Sequence, residues 1–163
     1  MTDKKIMITQ AELKDLLTYN PETGIFNWIK RNGNIAGYTT VKGYVRILIN
    51  YKLYPAHRLA WLYVNGSFPN KFIDHINHVC DDNRIINLRE ATVSQNSQNQ
   101  TIRSCNTSGL KGVYWNKKAN KWLAKIEFLG KSKYIGVFLD KNEAHQAYCK
   151  AADKYHKEFA NHG

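Results

Sequence analysis

Apolar residues recur at three- and four-residue intervals in some stretches of the chain and alternate with polar ones in others, so the pattern predicts short helices set among strands. Thr9, with Glu12 three residues on, makes a capping box. Behind it, Leu13, Leu16 and Leu17 predict a short amphipathic helix ending near Asn20 and Pro21. Aromatic and β-branched residues then predict strands over 24–30 (GIFNWIK), 43–50 (GYVRILIN) and 52–54 (KLY), parted by the turn signals RNGN and VKG. Helical spacing returns in AHRLAWLYVNG (56–66), through Leu59, Leu62 and Tyr63, with Gly66 as the stop. Thr92 and Gln95 form a second capping box, opening a polar helix that carries Asn96 and Asn99 on one face.

The run RSCNTSG, small and polar, reads as a linker over 103–110. Three strand candidates follow within 111–138, and then one long helix from Asp140 to Phe159. Asp140 and Glu143 mark its start, and its apolar positions are 144, 147, 148, 151, 152, 155 and 159. His145 and His156 fall on its polar side and are expected at the surface. In KWLAKIEF, alternation puts Trp122, Ala124, Ile126 and Phe128 on one face of a strand and Lys121, Leu123, Lys125 and Glu127 on the other. The apolar face suits the Ala-rich helix, which leaves the charged face for a partner.

Composition narrows the partner. With 163 residues and 43% hydrophobic content the chain can bury a core, as one ordinary domain or two small ones. Its 24 Lys and Arg against 13 Asp and Glu give +11, which points to a polyanion: nucleic acid first, a membrane surface second. The membrane reading is disfavoured because the basic residues interleave with a strand pattern and not with an amphipathic helix. No apolar run reaches about 18 residues, and MTDKKIMITQ lacks the features of a signal peptide, so a cytoplasmic location is expected. Cys80, Cys105 and Cys149 form no CxxC, which argues against a disulfide scaffold or a Cys-rich zinc site.

The chemistry concentrates in IDHINHVCDDNRIINL (73–88). Phosphodiester hydrolysis needs an activated water, a cation on the phosphate and its leaving oxygen, and positioning of all three. Adjacent Asp74 and His75 on a strand point to opposite faces, leaving one for a metal and one for the water. The alternative is a polar hairpin held by side-chain hydrogen bonds. His78 and Cys80 with His75 imitate a zinc site by composition but lack a fourth ligand.

IDHIN, then DNRIINLRE, then a helix with SQNSQN resembles the HNH nuclease family, and LTYNPETGIFNW, GYVRI, AHRLAW and the step from Gly66 to Pro69 resemble the N-terminal half of its phage-type homing endonucleases. The resemblance covers roughly 10–102. It implies a two-strand, one-helix metal finger of the His-Me type at about 70–102, in which Asp74 binds a divalent metal, His75 is the general base, and Asn87 holds the loop that aims it. The last family position, often His, falls on Asn96, whose amide oxygen suits magnesium, with manganese as a substitute, better than zinc. His57, Arg84 and Asn99 are expected to support these residues from behind.

Residues 109–159 are similar to the plant Apetala-type, ethylene-response-factor-like DNA-binding domain, which lays a three-stranded sheet in the major groove and braces it with a helix. That resemblance places reading positions on Lys111, Tyr114, Asn116, Lys125, Glu127 and Tyr134, and Lys121 and Lys133 of the charged sheet are expected to contact DNA beside them. Several of these positions carry Arg or Trp in the plant proteins, and Lys is more of a point charge than Arg, so more backbone contact is expected here.

The expected fold is therefore α+β. It comprises a ββα-metal nuclease domain with an N-terminal β-rich extension (1–102), a linker (103–110), and a three-stranded antiparallel sheet packed on one helix (111–163). The expected function is that of a magnesium-dependent homing endonuclease on double-stranded DNA, a monomer or weak dimer, nicking one strand as a monomer and leaving a 5′-phosphate and a 3′-hydroxyl. Its rival is a non-catalytic DNA-binding regulator that keeps the finger as a clamp.

Overall fold

The computed structural model describes residues 7–30, 32–102 and 104–163, and these form two compact units, Met1–Ala91 and Thr92–Gly163. The first unit opens with helix α1 (Gln10–Leu16), started by the reciprocal Thr9–Glu12 capping box. The helix stops at Leu17 and does not continue to Asn20, because Leu17–Tyr19 becomes strand β1 and pairs antiparallel with β2 (Phe26–Trp28). Leu17 and Tyr19 face the core on either side of exposed Thr18, a period of two that a helix could not bury.

Strands β3 (Tyr38–Thr39), β4 (Val45–Ile49) and β5 (Lys52–Pro55) form an antiparallel sheet in that order. Helix α2 (Ala56–Asn65) follows and ends on Gly66, whose φ of 81° is the left-handed conformation that closes the helix. Leu13, Leu17, Phe26, Ile47, Leu59 and Leu62 meet in the core between these elements. Strand β6 (Phe72–His75) and strand β7 (Leu88–Ala91) then make a two-stranded antiparallel ribbon, separated by a loop that ends in a 3-10 turn over Ile85–Asn87.

The second unit begins with helix α3 (Val93–Gln98), capped by Thr92 and Gln95 as the sequence predicts. Strands β8 (Val113–Asn116), β9 (Lys121–Phe128) and β10 (Lys131–Phe138) form an antiparallel sheet with β9 in the middle, and helix α4 (Lys141–His156) packs on it. Val113 and Ala124 meet Ala144, while Ile126 meets Tyr148 and Ala152. The small Ala side chains let the helix approach closely, and Gly112 lets the Tyr148 ring lie directly against the backbone.

Two expectations about this unit change. His156 is on the buried stripe with residues 144, 148 and 152, four apart, and its Nε2 lies 2.8 Å from the Glu127 carbonyl oxygen; it is not a surface residue. His145 is half-buried, with Nδ1 3.2 Å from the Lys111 carbonyl oxygen. The described part of 103–110, expected to be a linker, is a hydrogen-bonded loop inside the second unit. There the Asn106 amide and the Ser108 hydroxyl both donate to the Leu110 carbonyl, and Asn106 Oδ1 accepts from the Gly109 amide. Small polar residues suit such a knot as well as they suit a tether.

Candidate active site

The loop between β6 and β7 is built by its own side chains. Asn87 is buried and joins the two ends of the loop: its Oδ1 accepts from the Asn77 amide at 3.0 Å and its Nδ2 donates to the Asp82 carbonyl at 2.9 Å. Its backbone carbonyl also takes the Ile76 amide at 2.9 Å. Asp82 in turn accepts two bonds from the Arg84 guanidinium and one from the Arg84 amide, and this guanidinium holds the Asp82 carboxyl well below the usual range, at about 2. Arg84 is thus committed to shaping the loop. His78 takes a positive φ of 64°, letting its amide bond back to the His75 carbonyl.

The first unit braces this loop from behind. Tyr19 Oη donates to the Asn83 carbonyl at 2.8 Å, and Gly24 comes so close that a Cβ there would stand 2.5 Å from the Arg84 nitrogen. Asn83 is only 2% exposed, and its Oδ1 lies 3.5 Å from His75 Nε2.

His75 and Asp74 are both buried at the end of β6, at 6% and 5% exposure. The His75 ring sits in an aromatic corner: His57 is edge-on with centroids 5.2 Å apart, and Tyr44 is tilted at 5.9 Å. Tyr44 also contacts His57, 5.8 Å away. Burial lowers the His75 pKa, against the raising effect of Asn83, Asp74, Asp82 and Asp81. His57 is pushed down further, to about 3, first by burial and then by the positive charges of His75 and Arg58, and its Nδ1 is buried with no hydrogen-bond partner among the described residues. Both imidazoles are therefore held towards the neutral form.

Asp74 carries a partner that the sequence reading missed. Arg89 lies opposite it in the strand register and places Nε and an Nη nitrogen each 2.9 Å from Asp74 Oδ2. Cross-strand register, unlike a local motif, cannot be read from DH and LRE alone. Tyr44 and Asn83 were missed for the same reason: both reach His75 through the fold.

Asn96 and Asn99 lie on α3 in the second unit, Asn96 half-buried and Asn99 4% exposed. Carboxylate and amide oxygens, as on Asp74 and Asn96, form a donor set suited to a hard divalent cation. Among the described residues no three His, Cys, Asp or Glu side chains converge as a metal-binding group.

In the second unit the strand register gathers six of the eight expected DNA contacts on the sheet face away from α4. Tyr114 pairs with Leu123, Asn116 with Lys121, Tyr134 with Lys125, and Glu127 lies in the same row. The Lys125 ammonium sits 4.5 Å from the Tyr114 ring centroid. Asn116 also accepts from the amides of Lys118 and Ala119 and so fixes the turn into β9. The other two are elsewhere. Lys133 pairs with Ile126, the helix-facing row, and donates to the Tyr155 hydroxyl. Lys111 lies outside the strands, half-buried, with its ammonium on the Gln98 and Gln100 carbonyls, and burial lowers its pKa to about 8.

Among the described residues no helix is long and apolar enough to cross a membrane. Residues 54–98, which contain β6, β7 and the loop between them, match a family described as HNH endonuclease. Protein 3.8 of Escherichia phage T7 is 37% identical over 82 residues, a stretch covering 50% of this chain and 68% of that protein. A solved structure described as DNA binding and cleavage by the HNH homing endonuclease I-HmuI is 22% identical, with a TM-score of 0.44 over 83% of this chain and 76% of that one. With Asp74, His75, Asn87 and Asn96 all inside the matched segment, and a phage relative matched over two thirds of its own length, the chain belongs to the HNH endonuclease family.

Proposed function

We propose that the chain is a divalent-metal-dependent, site-directed DNA endonuclease of the homing type, with a nuclease unit followed by an Apetala-type DNA-binding unit. The observation that carries the reading is His75: a buried imidazole, held towards its neutral form, at the mouth of a loop stapled by Asn87. A neutral imidazole can accept a proton from water, and a general base works best when its lone pair is available near neutral pH. His75 Nε2 lies 3.5 Å from Asn83 Oδ1, an acceptor that can orient the ring. Asn87 positions the base by fixing the loop, and His57 and Tyr44 fix the ring by contact.

Asp74 and Asn96 are the residues that would hold magnesium or manganese, and the bound ion supplies charge neutralisation on the scissile phosphate and its leaving oxygen. Tyr114, Asn116, Lys121, Lys125, Glu127 and Tyr134 are the proposed face for DNA, and the chain is proposed to act as a monomer or weak dimer in the cytoplasm. One observation favours the non-catalytic reading: Arg89 occupies Asp74 Oδ2 and would compete with a cation for it.

A plasmid assay separates the two. Supercoiled DNA bearing a target site should be nicked in magnesium or manganese by the parent and left intact by His75→Ala, with DNA affinity equal in both. A parent that binds the site but never cuts it, in either metal, would establish the regulator instead.

A further inference from the structure

Helix α3 carries Asn96 yet buries none of its residues, Val93–Gln98. Hydrophobic packing, the usual anchor of a short helix, does not fix it, and on its own a helix of this length is marginal. What holds it is polar. Thr92 caps its start, and at its end three successive carbonyls are taken by side chains of the same unit. Lys111 Nζ donates to the Gln98 carbonyl at 2.9 Å and to the Gln100 carbonyl at 2.5 Å, while Asn161 Nδ2 donates to the Asn99 carbonyl between them at 2.9 Å. A cation at a helix C-terminus also meets the negative end of the helix dipole. Lys111 is itself held from the other side, its own carbonyl lying 3.2 Å from His145 Nδ1 on α4.

We propose that Lys111 is a positioning residue of the nuclease and not a DNA contact: with Asn161, it fixes the helix that carries Asn96 to the sheet and helix of its own unit. This rests on the reading of Asn96 as a ligand. Lys111→Met keeps the aliphatic stem and removes the donor; Asn161→Ala removes the smaller tie; Lys111→Arg restores a cation.

In the full chain, amide hydrogen exchange over residues 93–100 should quicken by about tenfold in Lys111→Met, with β9 amides unchanged. Asn161→Ala should move the same amides less. DNA affinity and its salt slope should match the parent, the manganese concentration for half-maximal plasmid nicking should rise several-fold, and Lys111→Arg should recover most of both effects. The proposal is overturned if Lys111→Met leaves α3 exchange unchanged and lowers the slope of log affinity against log salt by about one, the signature of one phosphate no longer neutralised. Should Lys111→Met loosen β9 as well, Asn161→Ala decides by the same exchange measurement. A parent that never nicks would sink the nuclease reading alone, because the exchange and salt arms need no cleavage.

Discussion

His57 lies 5.2 Å from His75, centroid to centroid, and its pKa of about 3 has a consequence for stability. In the unfolded chain an imidazole titrates near 6.5. Between about 6.5 and 3 the unfolded chain therefore takes up a proton that the folded one refuses. The contribution of His57 to stability is fully present above about 6.5 and drains away as the pH falls towards 3. We expect His57→Phe to flatten the acid side of the melting-temperature profile relative to the parent; superimposable profiles would show that His57 does not report the buried environment. Residue-scale chemistry was partly legible in the sequence. Asp74, His75 and Asn87 belong to a local motif, whereas Arg89, Tyr44 and Asn83 reach the site only through register and packing. The bonds from Lys111 to the Gln98 and Gln100 carbonyls were not legible either, because they too arise only in the fold.

Elements were legible wherever their determinants are local. The capping boxes at Thr9 and Thr92 and the stop at Gly66 need no knowledge of the rest of the chain. Strand β1 was not legible, since its partner, β2, lies beyond a turn and overrides the helical spacing of Leu13, Leu16 and Leu17. The faces of β9 followed from alternation alone, but His156 did not follow from polarity: a polar ring took the next place on a buried stripe. The backbone just before β8 lies directly against α4. Gly112 has a φ of +74°, and a Cβ there would stand 2.0 Å from the Tyr148 ring. Gly112→Ala should therefore lower the stability of the second unit by at least about 2 kcal/mol, combining backbone strain with overpacking. A urea midpoint equal to the parent's would mean that α4 can shift to make room.

For the whole molecule, the charge of +11 pointed to a polyanion before any motif did, and the family match agrees with that direction. The division of the chain was harder to see. It falls at Ala91 and Thr92, not at 103–110, because composition cannot tell a tether from a hydrogen-bonded loop. If the outer face of β9 meets DNA, Lys121→Ala with Lys125→Ala should weaken binding and reduce the salt slope by about two, roughly 0.9 for each phosphate that a lysine ceases to neutralise. Measuring affinity across a range of salt concentrations checks this, and an unchanged slope would move the footprint off the sheet.

The hydroxyl of Tyr19 on the Asn83 carbonyl, with Gly24 seated against the backbone of residues 83 and 84, bears on protein engineering. A graft of residues 72–91 into a foreign scaffold would carry the recognisable motif but leave behind the surface that shapes its loop. The transplant would keep Asp74, His75 and Asn87 in sequence and lose the brace that sets Asn83 beneath the imidazole. Carrying the loop with its brace takes the whole first unit, and Asn96 lies outside that unit, on α3.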